Sequence, residues 1–152
     1  MNDITSATPS LPTMTSRDVE KVQGLEAHLL GIEQVAIQTR HHFHAGLYAR
    51  TIRIPAGVMI TGALIKIPTL LIVSGHVTVF IGGKSIELHG YHIVPGQAGR
   101  KQVFLAHADT DLTMTFATQA KTVEEAESEF TDQPTALMSR QQSNDLIITT
   151  GE

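Results

Sequence analysis

From Ile32 to about Ala117 the chain is a succession of short segments rich in Val, Ile, Leu and Thr, cut by Gly, Pro and Ser. β-Branched side chains are stiff about χ1 and fit a pleated surface, while Gly and Pro punctuate strands, so this texture commits the segment to an all-β domain. Strands centre on VAIQ, LYARTIRI, VMIT, LIKI, LLIV, VTVFI, SIEL, HIV, KQVFLA and LTMTF, some of them close enough to merge. Gly82 and Gly83, between VTVFI and KSIEL, mark a two-residue hairpin, because a turn with positive φ twists its flanking strands the right way. Strands of this length and spacing suit a sandwich or a small barrel.

On either side of the strands the period changes. In RDVEKVQGLEAHLL, Val19, Val22, Leu25 and Leu29 recur at helical spacing, Thr15 and Asp18 are spaced as a capping box, and Gly24 weakens the middle. A second, short helix is predicted at TVEEAESEF, where Thr122 and Glu125 repeat the capping spacing. Its Glu124, Glu125, Glu127 and Glu129 read as a solvated face rather than as a carboxylate pair. Residues 1–16 are polar with scattered apolar positions, so alone they form an extended arm that orders only against a partner. The last stretch is a polar tail with one late strand candidate, LIITT. The expected division is an arm over 1–16, a domain with flanking helices over 17–132 and a tail over 133–152.

Composition narrows the partners. A length of 152 residues, 41% of them hydrophobic, suits one domain. The 11 Lys and Arg against 15 Asp and Glu leave no basic surplus for phosphates or anionic lipid, so neither nucleic acid nor membrane is expected as a partner. The absence of Cys removes a disulfide framework, a thiolate zinc site and a cysteine nucleophile. No apolar run approaches the roughly 20 residues of a membrane span. The polar start lacks the basic and apolar regions of a signal peptide, so secretion by that route is not expected.

Eight histidines are the compositional oddity. His42 and His44 would share one face of an extended segment and hold a metal together, with a third ligand from His92 or His107. The competing reading is a loop, ahead of the first well-supported strand, whose histidines make hydrogen bonds or interface contacts. The run His89-Gly90-Tyr91-His92 has the wrong spacing for one strand face and reads as a turn. Tyr48 and Arg50 share a strand face and suit a ligand carboxylate or phosphate through the guanidinium fork. Against that stands the favoured reading of Arg50 as a fold-holding residue paired to a buried carboxylate. Arg100 and Lys101, near Gly96 and Gly99, form a positive loop that meets an anion or an acidic neighbour, or is simply solvated. Ser74 precedes a glycine, yet there is no G-x-S-x-G, and glycine loops of the Walker and Rossmann types are absent.

Three patches, HHFHAGLYARTIRIPAG (41–57), TGALIKIPTLLIVSGHVTV (61–79) and AGRKQVFLAHADTDLTMTF (98–116), together resemble the small phage-encoded branch of the cupin superfamily, over roughly residues 25–130. The resemblance implies a mainly β fold, a cupin-like jelly roll or double-stranded β-helix of two sheets around a central pocket, with an N-terminal helix, a short C-terminal helix and flexible terminal arms. It also implies a metal motif of Gly, five residues, His-x-His, three or four residues, Glu, six residues and Gly, then Pro, Gly and a third His. With Gly57 on the first glycine, Ala63 and Ile65 fall on the two His positions and Thr69 on the Glu position. Gly75 arrives one residue early, and the third His falls on Arg100 or Gln102. None of these side chains suits a first-row metal, so no metal cofactor is expected there.

What the resemblance implies about function follows from that loss: a non-catalytic, homo-oligomeric phage protein, a virion component or decoration with other virion proteins as partners, placed in the virion or the host cytoplasm. Exposed sheet edges point the same way for oligomerisation. One alternative is a metal-dependent cupin enzyme with relocated ligands His42, His44, His92 and His107. The other is a small-molecule-binding cupin of the infected cell, with Tyr48, Arg50, Arg100 and Lys101 as its ligand-binding candidates.

Overall fold

The computed structural model describes residues 9–142 and 145–150. Helix α1 (Ser16–Leu29) starts at Thr15, whose hydroxyl accepts the Asp18 N–H at 3.1 Å. Its Val19 and Val22 pack half-buried on the core, and none of its residues is fully buried. Strands β1 (Thr39–His44), β2 (Leu47–Ile54), β3 (Met59–Thr61), β4 (Thr69–Ile81), β5 (Lys84–Gly96), β6 (Val103–Ala106) and β7 (Thr110–Ala117) follow. After them come α2 (Val123–Phe130), a 3-10 turn (Pro134–Ala136), α3 (Met138–Gln142) and β8 (Asp145–Thr149). At the start of α2 the Thr122 hydroxyl accepts the Glu125 N–H at 3.2 Å, one arm of the capping box, and donates to the Glu125 carboxylate at 3.1 Å.

The fold is mainly β, made from one curled eight-stranded sheet with an N-terminal helix before it and short helices near its end. Along it the order is β3-β6-β4-β7-β2-β1-β8, with β5 paired to the free edge of β4. LLIV and VTVFI merge into β4, and SIEL and HIV merge into β5, joined by the Gly82–Gly83 turn with φ of 56° and 76°. The segment 89–92 is therefore the middle of a strand, not a turn. On its other edge β4 pairs with β7 over Leu70–Ser74 and then with β6 over Val77–Phe80. Gly75 sits at that change of neighbour with φ 147°, and a Cβ there would meet Thr110 Oγ1 at 2.5 Å and Thr110 Cα at 2.7 Å. Only glycine lets the backbones approach this closely.

Three expectations are corrected. VAIQ is not a strand, and of LIKI only Ile65 is bridged, to Arg100, because the chain crosses the open end of the curl instead of pairing along it. The His-rich segment is a strand rather than a loop: β1 turns through Ala45–Gly46, with φ of 53° and 70°, and pairs with β2 along its whole length. Finally, residues 9–16 need no second chain. Leu11 donates its N–H to the Pro95 carbonyl and accepts from the Gln97 N–H, both at 2.9 Å. Its side chain is fully buried in the main core with Met14, an upper-bound gain of about 1.5–3 kcal/mol for each such residue. Residues 1–8 of the expected arm lie outside the described residues.

That core joins Val73, Val77 and Val79 of β4 with Leu88, Val94, Phe104 and Leu112. A second cluster forms where α2 and the C-terminal segment close the sheet, around Tyr48, Phe116, Val123, Phe130 and Leu137. The late strand expected at LIITT is β8, which runs parallel to β1 at the sheet's edge with every residue exposed.

Candidate ligand cavity

Inside the curl lies a cavity of about 150 Å³. Strand alternation builds its wall, because residues two apart face the same side. In β2, Tyr48, Arg50, Ile52 and Ile54 all turn inward, as the spacing of Tyr48 and Arg50 predicts. Ile52 is joined on the wall by Leu71 from β4, Phe104 from β6 and Leu112 and Met114 from β7. Phe130 at the end of α2, with Leu137 and Met138, closes one side.

Arg50 reaches the cavity wall but its charge is engaged. Its Nη1 donates to Glu127 Oε2 at 3.0 Å and its Nη2 to Ser139 Oγ at 2.9 Å, and the guanidinium lies 5.5 Å from the Phe130 ring centre. Glu127 also accepts from Ser139 Oγ at 2.9 Å and from Arg140 Nε at 2.7 Å. This is the arrangement of a fold-holding arginine. It corrects the reading of α2's glutamates as one solvated face, because Glu127 is 1% exposed and turned to the core by the helix period. Tyr48 is fully buried and absent from the cavity wall. Burial pushes its hydroxyl up to about 12.

His41, which sequence reasoning passed over in favour of its neighbours, is fully buried, with Nδ1 2.7 Å from the Tyr48 hydroxyl. Its Nε2 lies 3.3 Å from Asp145 Oδ2, close enough for charge attraction but without the alignment of a hydrogen bond. Burial first, then the Arg50 charge, hold its pKa below the ordinary value.

Arg100 and Lys101 are buried, not solvated, because the docked segment around Leu11 and Met14 covers them. Lys101 Nζ donates to Glu26 Oε2 at 2.9 Å and to the Gly62 carbonyl at 2.8 Å at the cavity rim. Arg100 differs. Its Nη1 donates to the Gln97 carbonyl at 2.5 Å and its Nη2 to the Thr69 hydroxyl, and the guanidinium lies flat on Gly96, where a Cβ would stand 2.5 Å from Cζ. Among the described residues no carboxylate pairs with it, and its buried Nε has no hydrogen-bond partner. Desolvation brings its pKa down to about 10.

The residues at the metal positions that the cupin resemblance implies do not fit a metal. Ala63, Ile65, Arg100 and Gln102 line the cavity, and Thr69 holds Arg100. Alkyl side chains offer no lone pair, and an uncompensated guanidinium repels a divalent cation beside it. The relocated histidines do not meet either. His42 and His44 alternate with the buried Thr39, His41 and Phe43 and so lie on the outer face of β1. His92 turns its Nε2 to the His89 carbonyl at 2.9 Å. His107 lies tilted against His76 at 4.7 Å between ring centres, and His89 stacks on His76 from 4.4 Å. Glu87, 2.5 Å from His76 Nε2, has its carboxyl held below the usual range by that contact. Among the described residues no group of three or more His, Cys, Asp or Glu is arranged to hold a metal ion, and no helix is long and apolar enough to cross a membrane.

No family model matches the sequence, and no curated protein matches it. Among solved structures, a cupin superfamily protein from Desulfitobacterium hafniense is similar at 10% identity, covering 61% of this chain and 87% of that chain with a TM-score of 0.46. A conserved protein of unknown function from Streptococcus pyogenes is similar at 14% identity, over 58% of this chain and 79% of that one, with a TM-score of 0.44. A salicylate 1,2-dioxygenase from Pseudaminobacter salicylatoxidans is similar at 14% identity, over 86% of this chain but 42% of its own, with a TM-score of 0.47. The chain spans under half the length of that enzyme.

Proposed function

We propose that this chain is a small-molecule-binding protein, with the cavity inside its cupin-like roll as the site. One observation carries the reading: an apolar wall meets two buried polar side chains, Arg100 and Gln102, each with an atom that has no partner among the described residues. A buried polar atom left unsatisfied costs about 1–3 kcal/mol, and a bound molecule that draws these two side chains toward the cavity offsets that cost. An enclosed, mostly apolar space with a few converging polar groups is the usual form of a ligand site. The rim carboxylate, Glu26, is occupied by Lys101 and by the Thr61 hydroxyl at 2.8 Å, which favours binding over proton transfer. Screening small acids, nucleotides and sugars by thermal shift and ligand-observed NMR tests this. A ligand at 100 times its Kd stabilises by about 2.7 kcal/mol. That gain is expected for wild type and not for Leu112→Phe, which fills the cavity; a screen in which nothing binds removes the proposal.

The phage setting belongs to a second reading, a non-catalytic, homo-oligomeric virion component. Strand β8 favours it: Leu146, Ile147 and Ile148 are 44%, 56% and 37% exposed at the edge of the sheet. An apolar edge strand is what a neighbouring subunit covers. Mass spectrometry of purified particles that finds the chain at a symmetric copy number supports this reading; absence from particles, with a monomer by light scattering, ends it.

A further inference from the structure

Of the three cations on the cavity wall, two are neutralised within the chain: Arg50 by Glu127 and Lys101 by Glu26. Arg100 is 1% exposed, donates to the Gln97 carbonyl and the Thr69 hydroxyl, and among the described residues has no carboxylate partner and keeps an orphan Nε–H. Water cannot stabilise it well at that depth, and isolated buried charge is avoided unless something of opposite sign is bound. Much of the remaining wall is aliphatic and aromatic, contributed by Ile52, Leu71, Phe104, Leu112 and Met114.

We infer that the cavity takes a small organic carboxylate, its anionic head on the Arg100 guanidinium and a compact apolar body against the wall of β2, β4, β6 and β7. A guanidinium matches a carboxylate in plane and spacing, and its hydrogen bonds to a charged acceptor are about twice as strong as neutral ones. The volume of about 150 Å³ sets the size of the body, since an apolar cavity of about that volume holds benzene. An unpaired arginine inside the roll is thus the protein's half of an ion pair whose other half arrives with the ligand. Lowered by burial toward 10, Arg100 is still charged at neutral pH and ready to receive it.

This inference rests on the ligand-binding reading, and its test separates the two. Calorimetric titration of the full chain uses benzoate and pivalate as compact carboxylates, benzamide as the neutral isostere and inorganic phosphate as an anion without an apolar body. At least tenfold tighter binding of benzoate than of benzamide is expected, with phosphate weaker than both acids. Arg100→Gln, which keeps hydrogen-bonding capacity toward Thr69 without the charge, is expected to erase the preference for benzoate. Because that variant removes a buried side chain and risks misfolding, the comparison of benzoate with benzamide in wild type stands without it. Equal binding of the acid and the amide overturns the carboxylate inference and leaves the ligand-binding reading intact. Phosphate binding as tightly as benzoate overturns the apolar body. Binding of none of the probes, with an empty wider screen, overturns both.

Discussion

Replacing Glu127 by Ala removes one carboxylate and strands two arginines. In the folded chain Glu127 is 1% exposed, Arg50 11% and Arg140 29% at the side chain. Arg140 recovers much of its hydration from solvent, so its pair is worth little by the measure of partly exposed bridges. Arg50 recovers almost none: it keeps Ser139 and the Phe130 ring but loses its one counter-ion among the described residues. Breaking a buried pair by deleting one partner costs about 3–5 kcal/mol, a large share of the 5–15 kcal/mol that holds a typical domain. With a urea slope of about 2 kcal/mol/M, the midpoint of unfolding should fall by about 2 M. Far-UV circular dichroism in a urea titration reads that shift. If charge is the cause, the double variant Arg50→Met with Glu127→Leu should recover most of the loss, because a well-packed apolar pair often replaces a buried ion pair at no cost. A single-variant shift below about 0.5 M, or no recovery in the double variant, refutes the reasoning.

Three further outcomes follow from the same geometry. His41 has a depressed folded pKa, so its contribution is fully present above the unfolded value of 6.5 and is lost as pH falls below it; the wild-type melting temperature should therefore drop between pH 7.5 and 5.5 more than that of His41→Gln, and parallel curves would show that His41 does not titrate this way. Tyr48 is shifted the other way, to about 12, so its contribution is complete below 10 and lost as pH rises toward 12; absorbance at 295 nm should show a delayed tyrosinate step that Tyr48→Phe abolishes. Gly75→Ala forces a Cβ to 2.5 Å from Thr110 Oγ1 at φ 147° and should cost about 2–4 kcal/mol, read as a melting temperature lower by roughly 6–12 °C; a wild-type melting temperature in this variant would show that β4 can change neighbours without glycine.

The strand rhythm, both capping boxes and the Gly82–Gly83 turn were legible because each is set by residues a few positions apart. Strand β1 escaped because TRHHFH alternates by burial and not by hydrophobicity, with His41 and Thr39 turned inward beside Phe43, and because Ala45–Gly46 is a weak turn signal. Glu127 had a readable sign: it lies on the stripe of Val123, Ala126 and Phe130, where a charge at helical spacing foretells a buried partner. The burial of Arg100 and Lys101 had none, since it depends on a segment 85 positions earlier, where Thr13 donates to the Ala98 carbonyl. Convergence of strand faces on one cavity is likewise a product of curl and order, which local pattern does not encode.

The distance along the chain between Arg50 and its counter-ion governs how this protein is made. Glu127 lies 77 positions after Arg50, so at 5–20 residues per second the ribosome delivers it about 4–15 s later. The β4–β5 hairpin, closed by a two-residue turn, needs only its own residues, whereas the outer edge of β1 waits for β8, about a hundred positions later. For those seconds the nascent sheet presents an open inner face and an uncompensated guanidinium. A chain terminated early, before α2, would keep that state permanently and behave as a client of chaperones and proteases rather than as a shorter version of the protein.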